Sequence, residues 1–173
     1  MGMEFDDRSI KFDRVLVVAD LHLGFERALE DEGFNIPSQT KNILNDIIKI
    51  RGNSERLLIN GDIKHNIPGL SWSEYREIPG FLGELKKHFK NIVICKGNHD
   101  GRIERISECD VRREYLINDV GFTHGHLLPS KEFVRKANVI IMAHTHPTFK
   151  FIDPIGKINK RGSVASRFTC ASV

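Results

Sequence analysis

The chain has 173 residues, 40% of them hydrophobic, and its 26 basic against 23 acidic side chains leave a formal charge of +3. That is the size of one ordinary domain, able to bury roughly 70% of its unfolded surface without a disulfide or structural metal, and the composition excludes a disordered or collagen-like polymer. No run approaches the ~18 apolar residues of a membrane span, and the N-terminus is acidic and mixed, so the expectation is a cytoplasmic protein with no membrane partner.

Arg14–Ala19 is an almost continuous β-branched run of the kind covered on both faces in a parallel sheet. Ser9–Phe12 alternates and reads as an edge strand before it. Ser38, after Pro37, is a candidate N-cap, and Ile43, Leu44, Ile47, Ile48 and Ile50 recur at helical spacing until Gly52. Arg56–Asn60 reads as the next strand. Ser71–Phe89 reads as helical, with Pro79-Gly80 predicting a kink or a division into two helices. In it Trp72, Tyr75, Phe81 and Phe89 read as core, and Lys86, Lys87 and Lys90 as a solvated helix end. Asn91–Cys95 is a third buried strand, and the rhythm so far predicts an α/β fold with a parallel sheet.

Beyond residue 110 the rhythm changes. Val111–Ile117 and Val120–Thr123 around Asn118-Asp119 read as a hairpin, Val139–Ala143 as a further strand, and Phe149–Ile152 with Ile155–Ile158 as a closing hairpin. Residues 1–160 are expected to form a single domain and residues 161–173 a patternless tail. Cys95, Cys109 and Cys170 lie far apart without a CxxC pair, which fits a reducing compartment and argues against a thiolate metal site.

The informative pattern is how the apolar strands end. They run into Asp20-Leu21-His22, Gly61-Asp62, Gly97-Asn98-His99-Asp100, His124-Gly125-His126 and His144-Thr145-His146; of the 8 histidines only His65 and His88 lie outside these segments. In open α/β sheets, loops at the carboxyl ends of strands converge on one rim, so groups remote in sequence meet there. Carboxylate, amide oxygen and imidazole without thiolate suit divalent metals; the oxygen share favours manganese, with iron, cobalt, nickel or zinc as alternatives. Seven such ligands exceed one tetrahedral site and fill two if a carboxylate bridges. A metal pair activates water and clamps phosphoryl oxygens, so the chemistry implied is phosphoester hydrolysis. P-loop, dinucleotide, zincin and zinc-deaminase signatures are all missing.

Taken in order, these five segments resemble the motifs of the calcineurin-like metallophosphoesterase superfamily over about residues 14–147, and Ala19-Asp20-Leu21-His22-Leu23-Gly24 is similar to its SbcD-related branch, including small archaeal and ligase-associated PdeM-like phosphoesterases. The resemblance implies a four-layer α/β/β/α sandwich with two mixed sheets and flanking helices. It implies one metal held by Asp20, His22, Asp62 and His146 and a second by Asp62, Asn98, His124 and His144, with Asp62 and a hydroxide bridging. By the same resemblance His99 protonates the leaving oxygen and Asp100 orients its imidazole. His126 and His65 are candidate substrate contacts, and Gly61 and Gly97 would give the ligand loops room to turn. Ala143 stands where the family usually has Gly, so either the backbone there avoids positive φ or the loop is strained. The expected activity is on phosphodiesters, with DNA, RNA or a nucleotide derivative as substrate, and a homodimer is compatible with it. The alternatives are a phosphomonoesterase, a cyclic-nucleotide phosphodiesterase, or a non-catalytic scaffold on the same fold.

Overall fold

The computed structural model describes residues 3–6, 8–145, 148–152, 158–163 and 169–172, the last three segments by backbone alone. Six strands form the first sheet in sequential order: β1 (Glu4–Asp6), β2 (Ser9–Phe12), β3 (Val15–Val18), β4 (Arg56–Ile59), β5 (Asn91–Cys95) and β6 (Asp110–Arg112). β1, β2 and β3 pair antiparallel, whereas β3 through β6 pair parallel. The parallel crossovers carry α1 (Phe25–Asp31), α2 (Thr40–Ile50) and α3 (Trp72–Lys86). β7 (Glu114–Ile117), β8 (Val120–Thr123), β9 (Val139–Met142) and β12 (Thr169–Ser172) form a second mixed sheet in the order β12-β9-β8-β7, with α4 (Lys131–Lys136) crossing between β8 and β9. β10 (Thr148–Ile152) and β11 (Ile158–Ser163) make an antiparallel pair of their own.

Alternation along the strands sorts the apolar side chains into layers. Ile10, Phe12, Val15, Val17, Leu58 and Val93 face Ile117, Val120, Phe122 and Ile141, so the two sheets pack face to face. The opposite face of the first sheet, through Leu16, Val18, Leu57, Ile59, Ile92 and Ile94, packs on Ile47 of α2 and Ile78, Phe81, Leu82 and Leu85 of α3. Phe133 and Ala137 cover Ile140 on the outside of the second sheet. Burying such a side chain contributes about 1.5–3 kcal/mol, and the result is helices, sheet, sheet and helix in sequence. The chain is an α/β protein with two mixed sheets, as expected.

Several local expectations change. Ser9–Phe12 is not an edge, because β1 pairs outside it. The α2 N-cap is Gln39 rather than Ser38; the Ser38 hydroxyl instead donates to Glu77 at 3.0 Å. α3 runs unbroken through Pro79, opened by a capping box between Ser71 and Glu74. Phe81 and Phe89 are buried, but Trp72 is 71% and Tyr75 59% exposed, with the Arg76 guanidinium stacked over the Trp72 ring at 4.5 Å. Lys86, Lys87 and Lys90 pair with Glu108, Glu84 and Glu55.

The run read as a single strand from Val111 to Ile117 is two strands that serve different sheets, and Asn118 takes φ 55° in the hairpin turn that follows. The strand after β10 is Ile158–Ser163, and of the Ile155–Ile158 stretch expected to close the hairpin, residues 155–157 lie outside the described residues. Within 161–173, Thr169–Ser172 is not patternless tail but an edge strand paired with Val139–Met142. Four small and polar residues carry too little alternation to announce a strand whose register is set by its neighbour.

Candidate metal centre

Beyond β3 and β4 the chain continues in parallel: the Asp20 N–H donates to the Gly61 carbonyl at 3.0 Å, His22 to Asp62 at 2.9 Å and Leu23 to Ile63 at 2.9 Å. Two ligand loops are thereby zipped side by side past the end of the sheet. Within them Asp20 (φ 52°), His22 (φ 46°) and Asp62 (φ 53°) adopt left-handed backbone, as does His144 (φ 66°) beyond β9. Asp and His visit this region more readily than bulkier residues, yet such conformations cost on the order of 1 kcal/mol each and concentrate at functional sites. Ala143 is absent from the positive-φ residues and is buried, so the first of the two alternatives for that position holds and the reversal falls on His144.

Two groups of donor atoms share Asp62. Asp20, His22 and Asp62 form one and Asp62, His124 and His144 the other, the donor atoms within each lying no more than 4.8 Å apart. Asp62 Oδ2 is 3.1 Å from His124 Nε2 and 4.0 Å from His22 Nε2, and Asn98 Oδ1 lies 3.3 Å from His124 Nε2. The buried His124 ring donates from Nδ1 to the Asn60 carbonyl at 3.0 Å, which leaves Nε2 aimed at two oxygen acceptors. Such convergence calls for a proton or a cation between them, and this donor set fits a divalent metal. Burial disfavours ionisation of both groups, but their mutual hydrogen bond and opposite charges prevail: Asp62 is held below the usual carboxylate range and His124 above that of imidazole. His146 lies outside the described residues.

Gly61 and Gly97 make room in different ways. At Gly61 (φ 91°) a Cβ would stand 2.1 Å from His124 Nδ1. Gly97 requires no unusual φ, but its Cβ would stand 2.2 Å from Asp62 Oδ1. Both glycines exist because a ligand side chain lies where their own would be.

His99 and His65 stand beside the first group, their rings 4.7 and 5.4 Å from that of His22. The His99 backbone N–H donates to Asp62 Oδ1 at 2.9 Å, and its ring Nδ1 donates to the His65 carbonyl. A carbonyl only accepts, so Nδ1 carries the proton and Nε2 is left for proton transfer. Asp100 does not orient this imidazole, contrary to the sequence expectation. Its fully buried carboxylate accepts the backbone N–H groups of Asp62 (2.8 Å), Ile63 (2.9 Å), Lys64 (3.4 Å) and Gly97 (2.8 Å). Burial pushes its carboxyl up against the pull of those donors.

His65 packs edge-on to Phe25 at 4.9 Å, and burial together with the His99 charge holds its pKa down. His126 lies 5.4 Å from the His124 ring and 6.2 Å from that of His144, its pKa lowered by burial and those two imidazoles. Sequence reasoning missed Asn60, Lys64 and Glu74, all buried around these loops. The residue before Gly61-Asp62 and the Lys between Asp62 and His65 were the available signals, overlooked because neither is a metal ligand.

No curated protein matches the chain at a significant level. Among solved structures it is similar to the Pseudomonas putida nuclease MPE, with 18% identity and a TM-score of 0.56 over 96% of this chain and 81% of that one. It is also similar to AQ665, a protein of unknown function from Aquifex aeolicus, with 16% identity and a TM-score of 0.52 over 77% of this chain and 79% of that one. At these identities the likeness speaks to the fold. The family assignment comes from the sequence: residues 13–163 match the calcineurin-like phosphoesterase profile, which spans all of the described donor residues, and the chain belongs to that family.

Proposed function

We propose that this chain is a dimetal phosphodiesterase of the SbcD-related branch, acting in the cytoplasm on nucleic-acid or nucleotide diesters. The observation that carries the reading is Asp62, shared by two donor groups, with the His99 imidazole held beside it by its backbone and ring contacts. One metal is assigned to Asp20, His22, Asp62 and His146, the other to Asp62, Asn98, His124 and His144, with manganese preferred for the oxygen-rich set. A bound pair of divalent ions supplies Lewis acidity and lowers the pKa of water at the site.

The remaining work falls to the protein. Asp62 fixes the spacing of the two donor groups, and Asn60 sets the His124 tautomer. His99, with Nδ1 engaged, delivers a proton from Nε2 to the leaving oxygen, a contribution of typically 10²–10⁴-fold. His65 and His126 are assigned to the substrate phosphate or its flanking groups. That a Pseudomonas putida protein of similar fold is a nuclease supports nucleic acid as the substrate class.

The test uses metal-stripped protein. It is expected to be inactive, to bind two equivalents of manganese by calorimetry, and to regain cleavage of a bis-aryl phosphodiester and of a short single strand. Asp62→Asn is expected to reduce stoichiometry and abolish activity. Hydrolysis of monoesters alone would overturn the diester assignment, and two bound ions with no hydrolysis of any ester would favour the scaffold reading.

A further inference from the structure

The segment from His65 to Ser71 connects the bridging-ligand loop to α3, and its backbone polar groups are held from two sides by buried charges. On one side Lys64, 0% exposed, sends its ammonium to the carbonyls of Asn66 and Gly69, the latter at 2.6 Å. On the other Glu74, 1% exposed, accepts the backbone N–H groups of His65 (3.0 Å), Asn66 (2.7 Å) and Ser71 (2.8 Å). A fully buried lysine is rare and is retained only where its donors are engaged. Here they hold backbone, and the carboxylates of Glu74, Asp100 and Asp62 favour the ammonium only from beyond ion-pair distance. The same segment begins with the His65 carbonyl, which accepts the hydrogen bond of His99 Nδ1–H.

We propose that Lys64 is a positioning residue which, paired with Glu74 across the 65–71 segment, fixes the His65 carbonyl and through it the orientation of the His99 imidazole. The proposal rests on the reading of His99 as the proton donor. Lys64 touches neither the donor atoms of the two metal groups nor His99 itself; it acts through main chain. Its effect therefore belongs to the step in which the leaving oxygen takes up a proton and not to metal binding.

That separation gives the experiment. Two diesters differing only in leaving group are compared on the manganese-loaded enzyme, one releasing 4-nitrophenolate, which departs with little help, the other a sugar alkoxide, which needs the proton. Lys64→Met is expected to lower the sugar-ester rate about 10–100-fold and the nitrophenyl rate by much less, with two metals still bound. In a His99→Ala background the same substitution is expected to add no further loss, since the two residues lie on one path. In ¹⁵N-histidine spectra of the zinc-loaded protein, His99 is expected to pass from one fixed tautomer to a mixture.

Gly101→Ala reaches the segment without removing a buried charge, because the new Cβ would press to 2.8 Å of the Pro68 carbonyl. It is expected to give the same leaving-group selectivity, and it carries the test should Lys64→Met fail to fold. Equal losses on both esters, additive losses with His99→Ala, or an unchanged His99 tautomer would overturn the positioning role. A wild-type enzyme that cleaves neither ester overturns the phosphodiesterase reading instead, and this proposal with it.

Discussion

Asp100 accepts the backbone N–H of Asp62 at 2.8 Å, and with the same oxygen that of Gly97 at 2.8 Å, so one buried carboxylate ties together the loops that carry Asp62 and Asn98. Its other oxygen takes Ile63 and Lys64. Asp100 thus does for two loops what an N-cap does for a helix: it satisfies donors that turn away from any ladder.

Asp100→Asn should accordingly act on architecture before chemistry. The amide keeps one acceptor oxygen and turns an NH₂ toward two backbone donors. Each buried N–H left unpaired costs about 1–3 kcal/mol, so the expected loss is roughly 2–6 kcal/mol, at about 2–4 °C of Tm for each kcal/mol in a chain of this size. Calorimetric melting of the metal-free variant checks it. A loss of hydrolysis with unchanged Tm would return Asp100 to the role of orienting His99.

The glycines make a sharper contrast. Gly61→Ala combines φ 91° with a Cβ 2.1 Å from His124 Nδ1, and Gly97→Ala drives a Cβ to 2.2 Å of Asp62 Oδ1. Each is expected to cost roughly 2–5 kcal/mol and to disturb binding of the ion nearest the displaced ligand. Gly83, inside α3, has open space where its Cβ would be. Gly83→Ala is expected to stabilise by about 0.5–1 kcal/mol through helix propensity alone. Melting curves with and without manganese separate the two classes; an Ala at Gly61 that melts like wild type would refute the close approach of His124.

Much of this architecture was legible because it rests on patterns that burial imposes locally. Val15–Val18, Arg56–Ile59 and Asn91–Cys95 are apolar on both faces, as strands covered by a sheet and by helices must be, and the polar residues just beyond them meet at one rim. What stayed hidden depends on partners distant in sequence. β12 is a strand because Val139–Met142 offers it an edge. Trp72 and Tyr75 repeat at helical spacing, yet the α3 turn that carries them buries Glu74 instead, whose carboxylate caps the 65–71 segment. Asp100 sits next to His99 in the chain, and the family resemblance implied that it orients that imidazole; the backbone turn aims the two side chains at different targets.

The Asp62–His124 pair makes the stability of the metal-free protein and the increment that metal adds to it move in opposite senses above pH 6.5. Without metal, Asp62 has its carboxyl lowered from 3.8, so its contribution is present above that value and is lost as the pH falls through the lowered one. His124 is raised from 6.5, so its contribution is complete below 6.5 and is lost as the pH rises through the raised value. A metal takes the place of the His124 proton, so its affinity climbs through that same upper window. Melting temperatures of chelator-treated protein are therefore expected to fall from pH 6.5 upward, while the increment produced by manganese grows. At free metal one hundred times Kd a single ion adds about 2.7 kcal/mol, which corresponds to roughly 5–10 °C for a chain of this length. A chelated protein whose melting is flat across that window, or a manganese increment that grows as the pH falls, would mean that Asp62 and His124 do not share the site their 3.1 Å separation describes.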